Sequence, residues 1–517
     1  MNPFLFQFRQ VPIYGYSILL LAFLFLFPYL DIRPPHSDEL GNGWWVQYMW
    51  EHGFYPYNPK YYHGPLYFYL LQLSELLFGF GIWSLRLVNV LFAFGNMILI
   101  FMHRRFLGNA VFWAGLVVAV SPGLSFYSRT AIHETGFIFF QLLFSYGFLY
   151  FLFNREQKSL FYMLAGMTGL LLTKETWVIF IGTWFIAWGL VCLYGRLVKN
   201  ELPIKPYAPQ RPIQSGDLAF YSLLGVIILL IISSGFLLYP QGLHNSFKGF
   251  IPWFYTGTAT SGHNKPFFYW LQLLLHYEII VPSCMAASVA ILVGPFVRLA
   301  RFWAVFALGT FLAYSIIPYK TPWCIQNIIW PYSLVFGILI SRLLSLQSGR
   351  SILKAIKAAV IIIVIPVMMY SAWLSFHLNF INYAASSEAY NYVQTKKDAT
   401  LLINTIHTAA QNNPVGENMT ISIPLPSPWA CSYLLSRYPN VQYVFNNTSP
   451  DVLLVSSKDR NQYEKILVGA YLYRNFIVKQ YAAPITVYFK YTLFNEWVPE
   501  GSNLLKNNAA VHKDTDR

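Results

Sequence analysis

Apolar runs of membrane-spanning length recur through the first three quarters of the chain and then stop. They fall at about 11–30, 84–102, 109–127, 133–153, 159–173, 176–194, 218–239, 280–297, 302–317, 324–341 and 358–378. Each is long enough, or nearly so, to cross a bilayer as a helix, which predicts about 11 transmembrane helices. Between them, residues 31–83 and 240–279 form two long polar and aromatic loops. Within the first, 66–80 is apolar but broken, and reads as a helix lying on or dipping into the interface. The second carries Pro252-Trp253-Phe254-Tyr255, a Gly/Thr/Ser stretch to Gly262, and an aromatic segment over 267–277. It serves equally as a lid or as a connector.

Beyond residue 378 the periodicity becomes that of an ordinary folded domain. Residues 396–412, 428–437 and 459–467 read as helices, and 419–424, 441–446, 452–456 and 485–492 as strands. The expected organisation is a polytopic α-helical membrane part over 1–380, a small α/β domain over 381–500, and a disordered polar tail over 501–517.

Composition agrees with a membrane protein: of 517 residues, 56% are hydrophobic, 19% aromatic and only 11% charged. The net charge of +14 does not point to nucleic acid, because the basic residues punctuate apolar runs instead of forming a patch. With the N-terminus placed in the cytoplasm, the inner loops hold 15 Lys and Arg and the outer side 8. That bias predicts a multi-pass plasma (inner) membrane protein with a cytoplasmic N-terminus and an extracytoplasmic C-terminal domain. The first run lacks a small-residue cleavage site at Pro28-Tyr29-Leu30-Asp31 and reads as a retained helix. Four scattered cysteines give neither a disulfide framework nor a metal cluster, and no cofactor or metal is expected.

The acids of the membrane part gather on the outer side, so chemistry is expected there. Pro34-Pro35-His36-Ser37-Asp38-Glu39-Leu40 follows the first run. It predicts a helix start with Ser37 as N-cap and both acids in the first turn. The helix dipole favours their charge, and a fixed carboxylate beside a bilayer is a candidate general base. The same acids also complete an ordinary helix start, and the residues alone leave both readings open.

Four more ionisable clusters mark outer helix ends: Tyr61-Tyr62-His63-Gly64-Pro65, Ser128-Arg129-Thr130-Ala131-Ile132-His133-Glu134, Thr173-Lys174-Glu175-Thr176 and Tyr319-Lys320-Thr321-Pro322-Trp323. Charge at membrane depth is costly and is kept for function or paired. His63 reads as an interfacial histidine or a ligand contact, and Arg129 with Glu134 as a structural pair or a site. Lys174 with Glu175 makes a turn or a site, and Lys320 snorkels to headgroups or binds a phosphate. Both signs converge on one face: carboxylates suit a base, and the cations suit a phosphate.

The order of these motifs, from Asp38-Glu39 to His63-Gly64-Pro65-Leu66-Tyr67-Phe68-Tyr69-Leu70, resembles the GT-C-fold glycosyltransferases. It is similar in particular to the protein O-mannosyltransferase and aminoarabinose-transferase superfamily. Ile317-Pro318-Tyr319-Lys320-Thr321-Pro322-Trp323 and Pro424-Leu425-Pro426-Ser427-Pro428-Trp429 resemble one branch more closely. That branch comprises prokaryotic predicted membrane mannosyltransferases, some labelled flippase-associated proteins of archaeal glycosylation. The resemblance covers nearly the whole chain.

It implies an inverting transfer of a sugar from a polyprenyl-phosphate donor to an acceptor hydroxyl on a glycan, lipid or protein. Asp38 would be the base and Glu39 the second acid of the pair. His63 stands where relatives place a His or Lys near the donor phosphate. Glu134 stands where they usually carry Asp, and their Arg-x-x-Arg-Asn-Asp pattern is reduced here to Arg129-Thr130-Ala131-Ile132-His133-Glu134. Arg129, Lys174, Glu175, Lys320 and Trp323 complete the expected donor site. The rival functions are a non-catalytic component of a lipid-linked glycan flippase and an assembly factor.

Overall fold

The computed structural model describes residues 13–60, 63–199, 211–258, 263–294, 296–347, 351–425, 429–479, 483–493 and 501–507. They form two units. The first comprises residues up to Leu30, His52–Gly79 and Trp83–Tyr383, and the second Asp31–Glu51, Phe80–Ile82 and Ala384 onward.

The first unit is helical. Each of the eleven apolar runs folds as helix: Ile13–Leu26, Ile82–Met102, Ala110–Val120 with Pro122–Ser128, Glu134–Asn154, Gln157–Thr173, Trp177–Leu197, Ser215–Ser233, Ile280–Val293, Arg298–Ile316, Gln326–Ser345 and Ser351–Phe376. Among the described residues, seven helical stretches are long and apolar enough to cross a membrane, or up to nine if each bent pair is one span. Helices Ile13–Leu26 and Gln157–Thr173 are shorter, at 14 and 17 residues. The run over 109–127 is broken. Ser121 precedes Pro122 in an extended conformation, and the two halves bend by 63°.

Close helix packing depends on glycine. A Cβ on Gly147 would stand 2.3 Å from the Met163 nitrogen, and one on Gly166 would stand 2.4 Å from the Phe144 nitrogen. These glycines let helices Glu134–Asn154 and Gln157–Thr173 lie against one another. Inside the bundle, Gln141 donates to Asn327 Oδ1 at 2.8 Å and accepts from the Trp330 indole at 2.8 Å. Such bonds satisfy polar groups that the apolar interior would otherwise penalise.

The interfacial helix expected over 66–80 is present as Leu66–Phe78. The loop over 240–279 holds three short helices, Gln241–Lys248, Phe250–Thr258 and Tyr269–Tyr277. Its Gly/Thr/Ser stretch to Gly262 lies largely outside the described residues.

The second unit has a six-stranded sheet ordered β2-β1-β3-β5-β4-β6, from Val441–Gln442, Ile421–Ser422, Val452–Ser456, Ile485–Lys490, Gly469–Phe476 and Asn503–Asn507. β1 pairs parallel with β2 and β3, and the remaining pairs are antiparallel. β3 is central, and its residues Val452 to Val455 are buried on both faces. Helix Lys397–Gln411 covers one face through Leu402 and Ile406. Two strands depart from the sequence expectation. β4 lies in a stretch for which no element is expected, and β6 in the expected disordered tail. Both are held by main-chain pairing with neighbours, which composition does not report. Residues 508–517 of that tail, and Pro426-Ser427-Pro428, lie outside the described residues.

The helix bearing Asp38 and Glu39, Ser37–His52, belongs to this second unit. Its approach segment runs antiparallel to residues 392–395. Thr395 Oγ1 donates to the Pro35 carbonyl at 2.6 Å, and Ser37 Oγ donates to the Val393 carbonyl at 2.8 Å. Gly43 faces the Tyr433 ring, where a Cβ would come within 2.6 Å.

Candidate functional site

In the first unit the site is built around one close backbone approach. Gly64 lies against the end of helix Gln157–Thr173, and a Cβ there would stand 2.3 Å from the Leu172 carbonyl oxygen. Only glycine permits this contact. It brings His63 beside Glu175, which sits in the turn between helices Gln157–Thr173 and Trp177–Leu197.

His63 Nδ1 lies 2.7 Å from Glu175 Oε2, and the Tyr57 hydroxyl donates to Glu175 Oε1 at 2.6 Å. Burial works against charge on Glu175. His63, and then the Tyr57 hydrogen bond, outweigh it and hold the carboxyl below its ordinary range. Burial and the adjacent carboxylate push the Tyr57 hydroxyl well up, so it stays a donor.

A second pair stands alongside. Lys174 Nζ contacts Glu134 Oε1, and the Cys324 thiol lies 3.4 Å from the same oxygen. Both charges are buried, at 5% and 2% side-chain exposure. Burial acts to lower the pKa of Lys174, but Cys324 and Glu134 hold it above its ordinary value. Glu134 is the first residue of helix Glu134–Asn154, where the dipole favours its charge. His133 precedes it, with its ring 5.0 Å from that of His63. Burial, then the nearby His63 and Lys174, drive the His133 pKa well down, so this imidazole is neutral.

Arg129 does not join either pair. Its guanidinium donates to the carbonyls of Leu26 at 2.9 Å, Pro28 at 2.8 Å and Tyr29 at 2.7 Å, and sits over the Phe380 ring. It neutralises the C-terminal end of the first helix. The expected Arg129–Glu134 pair is therefore replaced by Arg129 with carbonyls and Glu134 with Lys174.

Lys320 is 2% exposed. Its ammonium donates to the Ile317 carbonyl at 2.5 Å and the Lys265 carbonyl at 3.3 Å, and desolvation lowers its pKa. The backbone N–H of Lys320 donates to the His263 carbonyl at 3.0 Å, so the middle of the 240–279 loop clamps this segment. Trp323 is buried in the single turn Pro322–Ile325.

In the second unit the helix start differs from expectation. His36, not Ser37, is the N-cap, because its carbonyl accepts the Leu40 N–H at 3.1 Å. His36 Nδ1 accepts the Asp38 N–H at 3.0 Å, while its Nε2–H donates to the Tyr392 carbonyl at 2.8 Å. Glu39 is fully buried and returns a bond to the His36 N–H at 2.7 Å, completing a capping box with histidine in the usual serine place. Asp38 is partly exposed.

Tyr57 and Cys324 escaped the sequence reading, and His133 lay within a singled-out cluster without being given a role. Cys324 directly follows Trp323 at an outer helix end, which was the available signal; Tyr57 had none beyond an aromatic loop. Among the described residues no group of three or more His, Cys, Asp or Glu is placed to hold a metal.

An apolar cavity of about 190 Å³ opens between helices Leu66–Phe78, Glu134–Asn154, Gln157–Thr173 and Ser215–Ser233. Leu66, Phe140, Leu164, Leu172, Leu224 and Ile228 line it. Leu66 and Leu172 are each within three residues of the His63–Glu175 pair.

The arrangement of helices around this site has solved counterparts. The structure of ArnT from Cupriavidus metallidurans bound to undecaprenyl phosphate is similar with a TM-score of 0.61 at 14% identity, over 93% of this chain and 99% of that one. The apo form of the same protein gives 0.59 at 15% identity, over 91% and 97%. The chain carries the GT-C fold. This GT-C chain also resembles the Archaeoglobus fulgidus oligosaccharyltransferase, solved with Zn and sulfate, with a TM-score of 0.51 at 10% identity, over 95% and 74%. Residues 62–205 match the family described as Dolichyl-phosphate-mannose-protein mannosyltransferase. No curated protein matches the chain. The GT-C fold and its long apolar helices make it a multi-pass membrane protein.

Proposed function

We propose that this protein transfers a sugar, mannose being the first candidate, from a polyprenyl-phosphate donor to an acceptor hydroxyl on the extracytoplasmic face. The observation that carries the reading is the apolar cavity whose lining residues Leu66 and Leu172 lie within a few residues of the part-exposed His63–Glu175 pair and the buried Lys174–Glu134 pair. A prenyl chain suits the cavity, and a phosphate suits the polar end. The match of residues 62–205 and the undecaprenyl phosphate bound to the ArnT counterpart support the same donor class.

Asp38 takes the proton of the acceptor hydroxyl as its oxygen attacks the anomeric carbon. The bond from that carbon to the phosphate oxygen breaks with inversion, and the electron pair stays on the phosphate. Lys320, held by two carbonyls, contributes positive charge to the leaving group. Holding donor and acceptor together supplies much of the acceleration in such a displacement.

The test uses the full-length protein in vesicles with polyprenyl-phosphate mannose and a membrane extract as acceptor source. Release of polyprenyl phosphate with label moving to an acceptor supports the reading. Movement of intact donor across the bilayer without release overturns it in favour of a flippase component.

A further inference from the structure

We infer that His63 is a catalytic residue, donating a proton from Nε2 to the departing phosphate, with Glu175 and Tyr57 as its positioning residues; this rests on the proposed glycosyl transfer. The geometry points to it in three ways.

First, the imidazole is oriented. A carboxylate on Nδ1 at 2.7 Å fixes the ring and keeps a hydrogen on that nitrogen. Glu175 is itself fixed by Tyr57 at 2.6 Å. A histidine held by a buried carboxylate, held in turn by a third group, is the arrangement that general acid–base catalysis uses.

Second, the other nitrogen is open. Among the described residues Nε2 of His63 meets no hydrogen-bond partner, and the side chain is 36% exposed. The other cationic candidates of this unit are committed elsewhere: Arg129 to helix carbonyls, Lys174 to Glu134, and Lys320 partly to two carbonyls.

Third, the arrangement is specified by the backbone. Gly64 is the residue that allows His63 to reach Glu175, since any side chain at 64 would meet the Leu172 carbonyl.

The step balances. The acceptor oxygen bonds to the anomeric carbon, and its proton passes to Asp38. The bond from the anomeric carbon to the phosphate oxygen breaks, and the electron pair stays on that oxygen. The Nε2 proton of His63 joins the phosphate, leaving a neutral imidazole that is reprotonated by water. Among the described residues, the titratable groups facing His63 are Glu175, Tyr57 behind it, Tyr55, whose hydroxyl donates to the His63 carbonyl at 3.3 Å, and the neutral His133, with Lys174 beyond His133.

The experiment measures release of polyprenyl phosphate from polyprenyl-phosphate mannose by the full-length protein across pH, together with donor binding. Loss of a general acid lowers the rate about 10²–10⁴-fold. His63→Gln is expected to fall within that range, to keep donor binding within a few-fold, and to lose the decline of rate at alkaline pH. The two positioning residues move that decline in opposite directions. Glu175→Gln removes the carboxylate and shifts it to lower pH. Tyr57→Phe makes the carboxylate a stronger acceptor and shifts it to higher pH, in a conservative variant that keeps the ring packing.

Unchanged turnover in His63→Gln overturns the assignment. So does a loss of donor binding equal to the loss of turnover, or an alkaline limb that neither Glu175→Gln nor Tyr57→Phe moves. No release by the unsubstituted protein overturns the glycosyl-transfer reading, and the proton donor with it.

Discussion

Glu39 Oε2 accepts the backbone N–H of His36 at 2.7 Å, and this bond sets two adjacent acids in different surroundings. Glu39 is buried and closes the helix start, while its neighbour Asp38 is partly exposed. Asp38→Asn is expected to lower turnover about 10²–10⁴-fold, as loss of a general base does, with thermal stability and donor binding little changed. Glu39→Ala is expected to cost about 0.5–2 kcal/mol of stability, as loss of a cap does, and Glu39→Gln less, since the amide oxygen still accepts the N–H. Turnover and thermal denaturation measured side by side check the contrast. Full turnover in Asp38→Asn ends the case for that base.

The Lys174–Glu134 pair gives a stability test. Lys174→Met leaves Glu134 buried without its partner and is expected to cost about 3–5 kcal/mol. The double variant Lys174→Met with Glu134→Leu is expected to recover most of it, because apolar groups of similar volume replace a buried pair at little cost. Thermal inactivation in detergent reads both. A double variant that is stable but binds no donor would make the pair part of the phosphate site.

Gly64→Ala is expected to abolish most turnover, because the new Cβ would stand 2.3 Å from a backbone oxygen and push His63 off Glu175. Gly182→Ala, whose Cβ meets nothing within 4 Å, is the matched control and should be silent. Equal activity in the two variants would show that the approach at Gly64 does not govern the site.

Lys320→Ala is expected to weaken binding of polyprenyl phosphate by about 1.5–3 kcal/mol, the range for a hydrogen bond to a charged group. Equilibrium binding of labelled polyprenyl phosphate measures it. Unchanged affinity would leave Lys320 as a clamp for the middle of the 240–279 loop.

The 15-to-8 distribution of Lys and Arg between the two sides is the basis for proposing a cytoplasmic N-terminus and an extracytoplasmic C-terminus. A reporter active only in the cytoplasm, fused after Arg517, is expected to be silent. Activity there would move the proposed chemistry to the other side of the membrane.

Much of the membrane part was legible because its signal is local. Every apolar run became helix, and the break at Ser121-Pro122 was hidden only by apolar residues on both sides. Charges at helix ends were equally visible, but their partners were not. Arg129 was read with Glu134, five residues away, whereas it serves carbonyls about 100 residues earlier, and Glu134 pairs with Lys174, 40 residues later. Spacing along a helix cannot report such contacts, because they are made across helices. The cap was misread for a related reason. Serine is the commoner N-cap, and the histidine takes that place because residues 392–395 hold both His36 and Ser37. β6 was unreadable because an edge strand of Asn-Leu-Leu-Lys-Asn is defined by β4, its pairing neighbour, more than by its own side chains.

The antiparallel run of Pro35–Ser37 beside residues 392–395 sets an order of events during synthesis. The ribosome makes Asp38 early, but the carbonyls of Tyr392 and Val393 that receive His36 and Ser37 arrive more than 350 residues later. Until then the helix start lacks those anchors. A nascent or truncated chain can complete every membrane helix and still present its acidic helix unmoored, so maturation of the proposed base waits on the last part of the polypeptide to emerge.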